Sequence, residues 1–266
     1  MTRLAMVTGA SSGIGEAFAE RLAEDGWDLV LVARRRDRLE EVAARLAGEH
    51  GVSARVVEAD LADQDRLEEV CAEVAELPLG MLVNNAALAH YMPFSELPAE
   101  RARELVQLNV LAPLLLTRAV LAGMVERGQG AVINVASLLA FSGSWEAPHL
   151  PQRAVYAASK SFLVTFTQVI AGELRDSGVR VQVVCPGIVR SEFHSRQGLD
   201  LSAVPRMEPR SVVQASLLDL ERGVVVSIPG SDDETALGRV EAAQRELIGL
   251  TRTVELPDRY RAEPHA

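Results

Sequence analysis

The chain has 266 residues, enough for one large α/β domain or two small ones, and 48% of them are apolar, enough for a full core. With 27 Lys and Arg against 37 Asp and Glu, the net charge is −10, and no basic run stands out beyond Arg34, Arg35 and Arg36, which excludes nucleic acid as a partner. No apolar run approaches the ~20 residues of a membrane span, and Cys71 and Cys185 are too few for a disulfide framework or a Cys-based metal site.

In chain order, MTRLAMVTGA comes first. It is too short for a signal peptide and its apolar run leads straight into glycines, so it reads as a first strand over 4–8 and a soluble cytoplasmic protein is expected. Further strands are expected over 29–33, 54–58, 81–83, 131–135, 179–184 and, briefly, 224–228. Several are nearly all apolar, as in strands covered on both faces. Between them, stretches such as 38–48 and 66–76 carry apolar residues at helical spacing. This βαβαβ rhythm implies an α/β fold with a parallel, doubly wound sheet and helices on both faces. No repeat, low-complexity tract or linker splits the chain, so a single domain over 1–266 is expected. Residues 191–209 read as a long polar loop shaping a substrate pocket. The charged end ELPDRYRAEPHA, from about residue 254, reads as a flexible tail.

The first strand runs into TGASSGIGEAFAERLAE. Gly9 permits a tight turn, Gly13 leaves room for a pyrophosphate at the backbone, and Gly15 allows helix and strand to pack closely. The helix that follows offers free N–H groups to phosphates, which makes Ser11, Ser12 and Ile14 candidate contacts as well. The spacing is GxxxGxG rather than GxGxxG, so a plain tight turn is the alternative. The second strand ends at Ala33, where an acidic residue would bind a ribose 2′-OH and repel a 2′-phosphate. Arginines follow instead, and a guanidinium grips phosphate through paired hydrogen bonds. Arg34 and Arg35 therefore point to NADP(H) over NAD(H), while Arg36 reads as a solvated helix face. At the third strand end, Asp60 and Leu61 face the ligand crevice. Asp60 either accepts from the adenine amino group or caps a helix, as Asp63 also could. The fourth strand runs into NNAALA, where Asn84 and Asn85 either order the loop or touch the ribose, with Ala86 beside them.

In AVYAASKSF, Tyr156 and Lys160 stand four residues apart and share a helix face. A phenol near its reference pKa of about 10 exchanges protons poorly at neutral pH, and a fixed cation nearby favours the phenolate. Lowering that pKa by ~3 units needs about 4 kcal/mol, more than a surface ion pair supplies but within reach of a semi-buried lysine beside a cationic ring. A core tyrosine and a snorkelling lysine are the alternative.

TGASSGIG, NNA, INVAS, YAASK and CPG, in this order over about residues 4–191, resemble the short-chain dehydrogenase/reductase family. The resemblance implies a seven-stranded Rossmann sheet and hydride transfer between NADP(H) and a small carbonyl or alcohol substrate. It implies Tyr156 as acid/base, Lys160 as the residue that lowers its pKa and holds the nicotinamide ribose, and Ser137 as the hydroxyl steadying the substrate carbonyl. Asn109 matches the family's proton-relay asparagine or kinks its helix. Pro186, Gly187 and Ile188 match the nicotinamide site, and Ser191 stands where Thr is usual. It also implies a homodimer or homotetramer pairing through helices around 97–125 and 153–176. Ala87 replaces a usual glycine. Ser137 and Tyr156 lie farther apart than the family interval, with the extra residues in FSGSWEAPHLPQR (141–153), so Ser142 or Ser144 competes for the serine role. Trp145 and His149 are pocket candidates or parts of a surface loop. A catalytically silent dinucleotide sensor or scaffold is the functional alternative.

Overall fold

The computed structural model describes residues 3–145, 150–201, 203–233, 235–250, 256 and 260. Packing divides the chain into two compact units, Met1–Gly230 and Ser231–Ala266. In the first, strands β1 (Leu4–Thr8), β2 (Asp28–Ala33), β3 (Ala54–Glu58), β4 (Met81–Asn84), β5 (Gly130–Val135), β6 (Val179–Val184) and β7 (Val226–Ser227) form one seven-stranded sheet. All neighbours pair in parallel, in the order β3-β2-β1-β4-β5-β6-β7. The order reverses between β1 and β4, which opens a crevice at the carboxyl ends of the strands.

Alternation along the strands fills two cores. Met6, Val30 and Val32 point to one face, where they meet α3 (Gln64–Ala75), α4 (Ala99–Val106), α5 (Ala112–Glu126) and α6 (Ala154–Glu173). Ala5, Val7, Leu29 and Leu31 point to the other, under α1 (Gly13–Glu24), α2 (Arg36–His50) and α8 (Pro209–Glu221). Because both faces are covered, the strands read as continuous apolar runs.

The structure differs from the sequence reading in three places. The expected strand over 224–228 pairs only at Val226–Ser227. The expected loop over 191–209 holds a short helix, α7 (Glu192–Arg196), and a parallel bridge between Val189 and Met207 pins its ends. Finally, the stretch Ala99–Glu126 and the helix Ala154–Glu173 are long and apolar enough to cross a membrane by length and composition. An unbroken apolar run is a stricter criterion than a helix tolerating one or two charges, so the sequence reading missed them. Each buries an inner face in the first unit: Leu105, Leu116 and Met124 in one, Leu163 and Val164 in the other. The second unit carries helix α9 (Ala236–Gly249). Of the tail expected from about residue 254, only Leu256 and Tyr260 are described; His149 lies outside the described residues.

Candidate active site

Thr8, the last residue of β1, was not singled out from sequence, yet it ties the glycine loop to the NNA loop. Its hydroxyl accepts from the backbone N–H of Asn85 at 2.9 Å and of Ala86 at 3.0 Å, and donates to the Val83 carbonyl. The Asn85 amide donates back to the Thr8 carbonyl at 2.9 Å, so Asn85 orders the loop. Gly9 has φ 67°, open to glycine at no cost. At Gly15 an added Cβ would lie 2.3 Å from the Gly9 carbonyl oxygen, so only glycine lets α1 approach the turn. Ser12 precedes α1 and, among the described residues, makes no side-chain cap bond, which leaves first-turn N–H groups to an anion. Ile14 packs into the α1 core.

Arg35 lies across this turn, its Nη2 donating to the Ser11 carbonyl and hydroxyl, each at 3.0 Å, and its Nη1 to Glu192 at 3.2 Å. Arg34 sits 3.7 Å from Asp60 with both side chains largely exposed. Asp60 accepts from the Ala62 N–H at 3.0 Å, while Asp63 caps α3 by accepting from the Arg66 N–H at 2.8 Å. Arg36 pairs with Glu40 on the solvated face of α2, as expected. Leu61 is a core residue. Asn84 is structural as well: its amide donates to Asn134 at 2.9 Å and Thr117 at 3.1 Å inside the sheet layer.

Beyond β5, Ser137 accepts from the Leu139 N–H at 3.1 Å, and its hydroxyl lies beside the Tyr156 phenol. Tyr156 and Lys160 lie on the buried side of α6, with Lys160 Nζ 5.8 Å from the phenol ring centroid. Lys160 Nζ donates to the Val135 carbonyl at 2.8 Å. The expected lowering of the phenol's pKa by this cation is not what the protein alone provides. Burial pushes the Tyr156 phenol well above its ordinary value, neighbouring Tyr91 adds to the rise, and only the nearby Ser137 hydroxyl opposes it. Burial also pulls Lys160 down to about 8. The cation is spent on a backbone carbonyl and weakened by the same low-dielectric surroundings that raise the phenol.

Asn109 lies in a π-helical turn, Gln107–Leu111, between α4 and α5. Pro113, four residues on, has no N–H to give the Asn109 carbonyl, and the helix widens there. The Asn109 side chain accepts from the Leu88 N–H at 3.0 Å and donates to the Leu88 carbonyl at 2.9 Å and the Ser159 hydroxyl at 3.1 Å. It joins the loop after β4 to the helix that carries Tyr156. Pro186 and Gly187 follow β6 beside Leu138, whose N–H donates to the Pro186 carbonyl at 3.0 Å. Ile188 binds Met207 through its carbonyl, and Ser191 caps α7.

Residues 3–201 match the model of the short chain dehydrogenase family. The chain belongs to that family. The chain is 34% identical to human very-long-chain 3-oxoacyl-CoA reductase over 193 residues, 71% of this chain and 60% of that relative's length. Among solved structures it is similar to a short-chain dehydrogenase from Sphingobium yanoikuyae in complex with NADPH, at 35% identity and TM-score 0.91 over 97% of this chain and 99% of that one. It is also similar to the bulky-bulky ketone specific alcohol dehydrogenase from Comamonas testosteroni, at 33% identity and TM-score 0.86 over 97% and 98% of the two chains.

Of the three candidate serines, Ser137 is the one beside the phenol. Ser142 is turned away: it donates to the Leu139 carbonyl and accepts from Arg153 at 2.9 Å. Ser144 is exposed. Arg153 holds the start of the inserted segment, also donating to the Ser142 and Trp145 carbonyls at 2.9 and 2.8 Å. Trp145 is exposed. Aromatic rings that sequence reasoning missed close on Tyr156 from the loop after β4 and from α7. Tyr91 meets it edge-on at 5.8 Å between centroids, and Phe193 lies at 6.1 Å with His194 packed behind. Tyr91, in a HYMPF run after NNA, was legible only as an aromatic in a loop; nothing in the spacing tied it to Tyr156.

Proposed function

We propose that this dehydrogenase reduces carbonyl compounds with NADPH through Ser137, Tyr156 and Lys160, with Asn109 as a positioning residue. The observation that carries the reading is the Ser137 hydroxyl set beside the Tyr156 phenol and a buried lysine, at the carboxyl ends of β5 and β6. The cofactor fits the residues present. Gly9 and Gly15 form a turn that side chains would fill, uncapped N–H groups open α1, and the Arg35 fork lies over Ser11. These groups would hold the pyrophosphate and the 2′-phosphate, with Arg34 beside them, and Lys160, Pro186, Gly187 and Ile188 would hold the nicotinamide end. When bound, the reduced nicotinamide supplies the hydride that goes to the carbonyl carbon.

Tyr156 keeps its proton at neutral pH, because burial raises its pKa. It therefore serves the reductive direction, giving that proton to the carbonyl oxygen as negative charge builds there. Ser137 then donates to the phenolate left behind, and Lys160 lies close enough to steady it. The rings of Tyr91 and Phe193 favour an apolar, bulky group beside the reacting carbonyl, in keeping with the ketone named for the Comamonas relative.

Tyr156→Phe removes the proton and leaves the glycine loop untouched. NADPH titration should give an unchanged Kd. Loss of NADPH absorbance against bulky ketones should fall by at least about a hundredfold, since acid catalysis alone contributes ~10²–10⁴. Turnover near wild type in this variant removes Tyr156 from the role. Cofactor binding with silence across aldehydes and ketones in the wild type would favour a sensor instead.

A further inference from the structure

Helix α7 touches both ends of the site with adjacent residues. Glu192 accepts from Arg35 Nη1 at 3.2 Å and also pairs with Arg196, one turn further along its own helix. Phe193 packs on Tyr156. Ser191 lies over the glycine turn, where a Cβ added to Gly13 would meet the Ser191 Cβ at 3.1 Å. The two hydrogens of Arg35 Nη2 are taken by the Ser11 carbonyl and hydroxyl. A phosphate arriving at Arg35 thus finds Nη1, where a carboxylate already sits, and Nε.

On the reading that Arg35 receives the 2′-phosphate, we propose that Glu192 discriminates between cofactors by competing with that phosphate for Arg35. Two anions on one exposed guanidinium repel each other, and the guanidinium cannot give both its best paired geometry. Arg196 offers the displaced carboxylate a second partner within the same helix. NADPH therefore releases Glu192 from Arg35 and leaves it paired with Arg196 alone, whereas NADH, lacking the 2′-phosphate, leaves the Arg35–Glu192 pair in place. Glu192 holds NADPH affinity below what the arginines alone would give and narrows the preference for NADPH over NADH. Because Phe193 follows directly, the same movement carries the ring that borders Tyr156.

The test is direct binding of NADPH and of NADH, each followed by nicotinamide fluorescence, to wild type, Glu192→Gln, Glu192→Ala and Arg35→Met. Removing one like charge at this distance should tighten NADPH by about three- to tenfold in both Glu192 variants and leave NADH within about twofold. Arg35→Met should weaken NADPH selectively, by at least about tenfold. If Arg35→Met behaves so but both Glu192 variants leave NADPH unchanged or weaker, the phosphate reading stands and the competition is wrong. If Arg35→Met weakens NADPH and NADH alike, the phosphate reading itself falls and the competition with it.

Discussion

At the scale of single residues, Lys160 is the informative group. It is 2% exposed and lies beside Tyr156 and the Cys185 thiol, and its ammonium donates to the Val135 carbonyl. Burial lowers its pKa from 10.5 to about 8. A base whose folded pKa lies below its unfolded one costs stability in full below the folded value, and the cost is relieved as pH rises towards the unfolded value. At 1.36 kcal/mol per unit, the cost is about 3 kcal/mol at pH 7. Lys160→Met removes it but strands the Val135 carbonyl, at about 1–3 kcal/mol. The variant should equal or exceed wild type in denaturant melts at pH 7. Its advantage should then shrink by about 3 kcal/mol between pH 7 and pH 10.5. A difference that stays flat over that range shows the lysine is not held in the charged form against burial. The Tyr156–Lys160 spacing was legible in the sequence because helical geometry fixes it. The direction of the phenol's pKa was not, because it depends on how deeply the pair is buried and on Tyr91, neither of which a four-residue interval contains.

At the scale of elements, the π turn at Asn109 does what a regular helix could not. It points one amide at both the N–H and the carbonyl of Leu88 and at Ser159, the residue next to Lys160. Asn109→Ala leaves buried partners on Leu88 unmet, and each costs about 1–3 kcal/mol. The variant should lose about 2–4 kcal/mol in urea melts with an unchanged m value, and kcat should fall more than the Kd for NADPH rises. Equal loss in both, or no loss of stability, would deny the side chain its positioning role. Strands and long helices were legible because their period is regular. The π turn was not: LNVLAP reads as helix until the missing N–H of Pro113 is counted. Nor was α7, because five residues with a single apolar one, Phe193, carry no apolar period, and its place is set by the Val189–Met207 bridge and by Arg35, far off in sequence. Among the three candidate serines, the deciding contact was Arg153 with Ser142, which turns that hydroxyl away from the phenol.

At the scale of the whole molecule, a doubly wound sheet followed from the alternation of strand and helix, while the strand order is seen only in the structure. Pairing register is a long-range property that local patterns do not encode. The outer faces of α5 and α6 carry exposed apolar residues: Leu111 is 38% exposed where the π turn meets α5, Val125 is 41% exposed and Val169 55%. On α6, Leu163, Thr167 and Ile170 face inward while Val169 faces out, and Phe162 stacks on Phe166 at 5.6 Å along the same helix. We propose that a second copy covers these faces, related by a two-fold axis, so that each Val169 lies in a self-complementary contact. A carboxylate placed there would be buried without a partner, which costs several kcal/mol and shifts the dissociation constant by at least about a hundredfold. Light scattering at micromolar concentration should give an oligomeric mass for wild type and a monomer for Val169→Glu. Val169 contributes nothing to the inner core, so the variant's NADPH affinity should stay within about twofold. A wild type that is already monomeric, or a Val169→Glu protein of unchanged mass, would show that these helices meet something other than a second copy.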